Sequence, residues 1–415
     1  LLCPFGKDKL LGSLKNLPQY DEKEGMFQAL IFSFFLLTAQ ADEPACEKLE
    51  ELEIKALSDS ITKVEKAIQC GVNVTCADSK PFLEAQQAVD ADLMADWLAK
   101  RGKLKGTIVA VIDSGFDAAR IQAGDIRIEE TRALRRGPAT EDEFGHRTAV
   151  SSLISGRDGI GVSPNARVRG LRITNRGEQS AIGALLKAKA LDACREGAEV
   201  INVSFGAITP FEEDKRFIKE LSERGCFVVK AAGNMGIEQV LSENSWDRRD
   251  AVLRVDGINP RNGRRHGNFD RGEWSAPGVE LTTLAPVGAA RTVKCGDIEI
   301  QRNSGSSGAA PIVSAIVAET LSVLREAAWY ADLAAPARVE LVTHILDAAR
   351  QPLSGLSGYL AIRIAGSLAD NKELDAKQLE AAVKTAHAGL KSDAICEIKP
   401  SCAKEQRLHD RICKK

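Results

Sequence analysis

The chain has 415 residues, with 56 Lys and Arg against 58 Asp and Glu, a net charge of −2 and 44% hydrophobic residues. The near-neutral balance argues against a nucleic-acid partner gripped by a basic surface and against a polybasic membrane anchor. The apolar fraction is that of a globular protein, and the length allows one large domain with extensions.

Residue 1 is Leu, and the first Met is Met26. From it runs Phe27-Gln-Ala-Leu-Ile-Phe-Ser-Phe-Phe-Leu-Leu37, followed by Ala39-Gln-Ala41. An apolar core ahead of an A-x-A site reads as a secretory signal over 26–41, although its n-region after Met26 holds no Lys or Arg. The run is too short to span a bilayer. Residues 1–25 are then expected to be upstream sequence read in frame, since Glu22-Lys-Glu-Gly25 back-translates to a purine-rich tract of the kind that precedes a bacterial start. This reading implies a secreted or periplasmic protein with no membrane attachment after cleavage.

Beyond Ala41, Leu57, Ile61, Val64 and Ile68 recur at helical spacing and predict an amphipathic helix over 49–68. Gly71 and Pro81 break it, and a second helix is expected from Pro81 to Lys100. Residues 42–87 form a helical arm or a short pro-segment. Asn73-Val-Thr75 matches a glycosylation sequon, which in a bacterial protein is better read as chance. Of the ten cysteines, Cys46, Cys70 and Cys76 precede the central region and Cys396, Cys402 and Cys413 follow it. These six read as a disulfide framework whose pairing the sequence leaves open. Cys194 and Cys226 are expected as buried thiols in a helix and a strand. The chain has no C-x-x-C spacing, which speaks against zinc or thioredoxin-type chemistry.

Thr107–Ile112 is a continuous apolar run, as in a strand buried on both faces of a parallel sheet. It ends at Asp113-Ser114-Gly115. Two further strands, 199–203 and 226–230, end at Ser204-Phe205-Gly206 and Ala231-Ala232-Gly233-Asn234. Ligands of open α/β sheets bind outside such carboxyl ends. An aspartate there is individually just as well explained as a turn cap. Of the five histidines, His266, His344, His387 and His409 read as surface or local packing residues. His146 lies at a helix start with a small-residue face at Ala149, Ser152 and Ser155. Further on, Asn303-Ser-Gly-Ser-Ser307-Gly-Ala-Ala-Pro311 opens an apolar helix through Leu324. Pro311 is expected in its first turn. Ser307 would then stand at a helix N-terminus, where free N–H groups favour a developing negative charge. Alone, this stretch reads equally well as a Ser/Gly cap on a core helix.

Together these segments resemble the subtilisin-like serine proteases, the subtilases. Val111-Ile-Asp113-Ser-Gly115 resembles the aspartate motif, Gly145-His146-Arg-Thr148 the histidine motif, Ala232-Gly-Asn234 the oxyanion asparagine motif, and Gly305-Ser-Ser307-Gly-Ala-Ala-Pro311 the serine motif. Residues 161–168, 202–206 and 275–278 are supporting matches, and the order Asp, His, Ser is that of subtilisin. The resemblance covers roughly 88–370. It implies a three-layer α/β/α fold with a mostly parallel central sheet, to which the sequence itself adds short helical, cysteine-containing N- and C-terminal extensions, the latter over 371–415. It implies Ser307 as nucleophile, His146 as base, Asp113 as the orienting carboxylate and Asn234 as an oxyanion donor. It also implies Ser204, Phe205 and Gly206 as the edge that pairs with an extended peptide or protein substrate, and Ala231, Ala232 and Gly233 as a wall of the pocket before the cut.

This sequence departs from the family pattern at several places. Arg147 replaces a small glycine, Ala149 a second histidine, Ser306 a threonine, Gly308 a methionine and Ile312 a histidine. An arginine facing His146 would disfavour the imidazolium, with activity expected to move to higher pH. Structural calcium is common in the family, but no dense acidic ligand loop occurs here, so no cofactor or metal is expected. A monomer is expected. The alternative is a subtilase-like binding or regulatory protein with an occluded, inactive groove. A nucleotide-binding protein is disfavoured, because no Gly-rich phosphate loop follows the first strand.

Overall fold

The computed structural model describes residues 83–393 apart from 134–141, 143–144, 174–181, 205–214, 235–249, 261, 266, 268, 280, 286, 288–291, 296–297, 352–354 and 372. The signal segment, the helix expected over 49–68, the six flanking cysteines and most of both extensions lie outside the described residues.

The helices are α1 Glu84–Ala88, α2 Ala91–Arg101, α3 Ala118–Gln122, α4 His146–Ser155, α5 Ile182–Arg195, α6 Lys215–Arg224, α7 Ser306–Leu324, α8 Ala328–Asp332, α9 Ala335–Ala348, α10 Gly358–Ala369 and α11 Leu379–Asp393. The strands are β1 Ile108–Asp113, β2 Ile128–Ala133, β3 Arg167–Arg172, β4 Val200–Val203, β5 Phe227–Ala231, β6 Val252–Ile258, β7 Trp274–Pro277, β8 Leu281–Leu284, β9 Val293–Cys295, β10 Ile298–Asn303, β11 Arg350–Gln351 and β12 Gly355–Leu356.

Strands β1–β7 form one parallel sheet in the order β2-β3-β1-β4-β5-β6-β7. β4, β5 and β6 are buried along their whole length, although Asn202, Lys230, Arg254 and Asp256 interrupt their apolar runs. β1 lies between β3 and β4, so the strand order reverses there and a crevice opens at its carboxyl end. Asp113 closes β1 at that edge, Ser204 follows β4, and Ala231 closes β5 just ahead of Asn234. The fold is therefore an α/β sheet flanked by helices.

α4 and α7 pack on one side of the sheet, and α7 runs beneath β4, β5, β6 and β7. From Ala309 to Leu324 every residue of α7 is buried, which its all-round apolar sequence requires. The helix begins at Ser306, so Pro311 sits in its interior rather than in its first turn. The missing proline N–H leaves the Ser307 carbonyl without its usual helical donor. Ser314 of α7 donates to Asn202 Oδ1 at 3.0 Å, and Asn202 Nδ2 donates to Ser204 Oγ at 2.8 Å, which ties the end of β4 to the same helix.

α5 and α6 pack against β4 and β5 respectively. Cys194 and Cys226 are joined in a disulfide with Cα atoms 6.1 Å apart, so they are not the free thiols expected from sequence. The parallel register pairs Val200 with Phe227, which brings the end of α5, just ahead of β4, beside the residue that opens β5. That proximity is a property of the sheet register and is not visible in a spacing of 32 residues.

The helix expected from Pro81 to Lys100 is broken into α1 and α2 by Asp90, which has left-handed backbone at φ 58°. Asp90 is held there by Ser357, whose hydroxyl donates to Asp90 Oδ2 at 2.6 Å, and by the Gly358 N–H, which donates to Val89 O at 2.8 Å. Strands β8, β10 and β9 form a small antiparallel sheet that leads into α7.

Candidate active site

Three elements bring Asp113, His146 and Ser307 to one place. β1 delivers Asp113 at its carboxyl end, where the side chain is 3% exposed. Asp113 Oδ1 accepts the Ser114 N–H at 2.7 Å. α4 delivers His146 as its first residue, after Gly145 in left-handed backbone at φ 68°. His146 Nδ1 lies 3.0 Å from both carboxylate oxygens of Asp113. That contact leaves the other ring nitrogen for a proton acceptor or donor elsewhere. α7 delivers Ser307 as its second residue, so its N–H belongs to the first turn, where helix N–H groups have no intrahelical acceptor. His146 and Ser307 line the same cavity of about 170 Å³, with Ala149, Leu153, Leu281 and Gly308 among its other walls.

Gly305 explains the glycine ahead of the serines. A Cβ there would sit 3.0 Å from Ser307 Oγ and 3.3 Å from Asn234 Nδ2. The nucleophile candidate and the asparagine amide thus flank the spot that glycine leaves empty. Asn234 itself is exposed. Its Oδ1 accepts the Ser306 N–H at 2.9 Å, and the Ser306 hydroxyl lies at the same distance. With the carbonyl oxygen engaged on α7, the amide nitrogen is the donor left beside the spot that Gly305 keeps open.

Charge around the pair is arranged in layers. The Asp113 charge holds His146 above its ordinary imidazole value, against burial; the Asp113 hydrogen bond and the Asp142 charge add to the rise and Arg147 opposes it. Burial alone would raise the Asp113 carboxyl, but the His146 ring, its hydrogen bond and Arg147 outweigh it and hold the group below its ordinary value. Asp142, just ahead of α4, accepts from the Thr148 N–H at 2.9 Å and the Thr148 hydroxyl at 2.6 Å, so it caps the helix that carries His146. Burial raises Asp142 in turn.

Arg147 does not face the imidazole from the open side. It is fully buried behind Asp113, where its Nη2 donates to the Asp113 and Leu171 carbonyls. The pH direction expected from sequence is also reversed. A cation that disfavours the imidazolium lowers the histidine pKa and extends the neutral base to lower pH, not higher.

Ser204, Ala231, Ala232 and Gly233 lie at the carboxyl edge of β4 and β5, beside Asn234, with Ser204, Ala231 and Ala232 buried. Phe205 and Gly206 lie outside the described residues. Among the described residues no group of three or more His, Cys, Asp or Glu side chains is placed to hold a metal ion. Three contributors are not evident from the sequence alone: Ser306, which anchors Asn234; Asp142, which reaches Thr148 from four residues ahead of the helix while Gly145 holds the N-cap position; and Arg172, whose Nε donates to the Ser114 carbonyl at 3.0 Å.

Residues 104–359 match the family model described as the subtilase family, peptidase S8. Subtilisin BL from Lederbergia lenta is 27% identical over 190 residues, covering 44% of this chain and 67% of that protein. A thermostable alkaline protease from Halalkalibacterium halodurans is 24% identical over 282 residues, covering 60% and 73% respectively. Among solved structures, a lanthipeptide protease superimposes with a TM-score of 0.50 at 20% identity, over 69% of this chain and 95% of its own, a likeness of fold.

Proposed function

The chain belongs to the subtilase family of serine proteases, and on that premise we propose that it is a secreted or periplasmic endopeptidase whose Asp113, His146 and Ser307 hydrolyse peptide bonds. The observation that carries this reading is the buried Asp113 carboxylate clasping His146 Nδ1 at 3.0 Å, in a cavity that Ser307 shares.

In this mechanism Ser307 Oγ attacks the scissile carbonyl carbon while His146 takes the hydroxyl proton. Asp113 fixes the tautomer and stabilises the imidazolium. The imidazolium gives its proton to the leaving amine as the C–N bond breaks, and water then releases the acyl group by the same steps in reverse. The Asn234 amide and the Ser307 N–H receive the oxyanion, in line with the amide orientation that Ser306 imposes. Ser204, Phe205 and Gly206 pair with an extended substrate, and Ala231, Ala232 and Gly233 wall the pocket before the cut. Export rests on the apolar segment after Met26, and the Cys194–Cys226 disulfide is in keeping with an oxidising compartment.

A fluorophosphonate probe tests the reading. The full chain should be labelled stoichiometrically on Ser307, Ser307→Ala should not be labelled, and only the former should cleave casein. A folded chain that takes no label would instead favour a binding protein with an occluded groove.

A further inference from the structure

Arg147 occupies a costly position that the mechanism above does not use. Its side chain is fully buried, and among the described residues Nε and Nη1 have no hydrogen-bond partner. A buried guanidinium with two idle nitrogens lowers stability unless something offsets it. Three contacts do so. Nη2 donates to Asp113 O and to Leu171 O at the adjoining ends of β1 and β3. The guanidinium carbon sits 4.5 Å from the centroid of the Phe116 ring, a cation–π contact. The Asp113 and Asp142 charges attract it. The site is also built to receive it. Phe116 can lie flat there because residue 170 of β3 is glycine, where a Cβ would come within 1.7 Å of the ring.

The geometry points to Arg147 as a positioning residue for the triad, gripping the main chain of Asp113 from behind and standing as a cation on the far side of the Asp113–His146 pair. This rests on the catalytic reading of those residues. The charged groups around His146 are Asp113 at the end of β1, Asp142 ahead of α4 and Arg147 on α4 itself; Arg172 of β3 faces Arg147 and adds positive charge behind it. The first turn of α7, at Ser306, Ser307 and Gly308, brings none. The two carboxylates favour the imidazolium, and Arg147 alone among the facing groups opposes it. Its removal should let His146 hold its proton to higher pH. The grip on Asp113 O makes a second contribution, because a small displacement of an orienting group is costly to turnover.

Arg147→Met removes the charge and every donor, while Arg147→Gln removes the charge and keeps an amide donor for the Asp113 carbonyl. For both, the acid limb of kcat/KM against pH should rise by roughly 0.5–1 pH unit. The plateau should fall about tenfold in Arg147→Met and less in Arg147→Gln. The Nδ1 proton of His146, followed by NMR in a Ser307→Ala background, should show the same rise in midpoint without reference to activity. Folded variants with an unmoved midpoint would overturn the inference. So would failure of Arg147→Gln to fold, since that would make Arg147 a packing residue only. Absence of labelling and hydrolysis in the unmutated chain would instead defeat the protease reading.

Discussion

The Ser306 hydroxyl accepts the Gly233 N–H at 3.0 Å and lies 2.9 Å from Asn234 Oδ1, so one small side chain at the start of α7 sets both the strand end and the amide beside the candidate nucleophile. Its single proton goes to Asn234 Oδ1 or to Gly233 O, which is 3.0 Å away. Asn234→Ala should lower kcat by about 10²–10³-fold, the usual cost of one oxyanion donor. Ser306→Ala should lower kcat by about tenfold with little change in KM, because the Ser306 N–H still holds the amide oxygen. In the Asn234→Ala background Ser306→Ala should cost almost nothing more, since the two act as a unit. A double-mutant cycle on a peptide substrate reads this directly, and full additivity would refute it.

Stability should fall as pH rises from about 4 to 6, through Asp90. Burial raises its carboxyl from 3.8 to about 6, with Ser357 opposing and Asp92 adding. The folded state therefore binds this proton more tightly than the unfolded chain. The stabilisation is complete below the unfolded value and is lost as pH climbs through the folded one. Its size is on the order of 3 kcal/mol. Urea unfolding midpoints across this range should flatten in Asp90→Asn, which cannot ionise and still accepts from Ser357. An equally steep profile in that variant would assign the dependence to other groups.

Reduction of Cys194–Cys226 should destabilise the domain without touching the triad. The bridge closes a loop of 32 residues, for which chain-entropy arguments give about 3–4 kcal/mol. A thermal melt with and without dithiothreitol should show the loss in the unmutated chain and none in Cys194→Ser/Cys226→Ser. The double variant, once folded, should retain its kcat.

Gly308 stands where the family has methionine, and here the space is taken. A Cβ at 308 would meet Leu281 Cδ1 at 1.9 Å, and Leu281 is itself fully buried. Gly308→Ala should destabilise by about 1–3 kcal/mol, the range for overpacking. The paired change Gly308→Ala/Leu281→Val should recover part of the loss. Melting temperatures of the single and double variants measure it, and no recovery would point to a backbone requirement instead.

Much of the sheet was legible because β1, β4 and β5 are mostly apolar and end in polar or glycine-bearing turns. β3 was hidden by its arginines: Arg167-Val-Arg-Gly-Leu-Arg172 reads as a surface segment, yet Arg172 is buried and serves the site. β6 was hidden in a similar way, since Arg254 and Asp256 interrupt its pattern while remaining inside. The candidate triad could be nominated because serine, histidine and aspartate keep recognisable neighbours along the chain. Arg147 could be noticed as an oddity but not placed, because its direction depends on a ring at 116 and a glycine at 170. The break at Asp90 depends on Ser357, some 267 positions away, and no local pattern encodes it.

α7 joins the candidate nucleophile to the innermost packing of the domain, with Ser307 at its mouth and its body seated on strands that begin as early as Ile108. A ribosome delivers Asp113 and His146 well before it delivers Ser307, and all seven strands of the parallel sheet precede that helix in the chain. The candidate nucleophile thus enters the chain after every strand of the parallel sheet that seats its helix. On the proposed protease reading, this order keeps the nucleophile out of a half-built polypeptide.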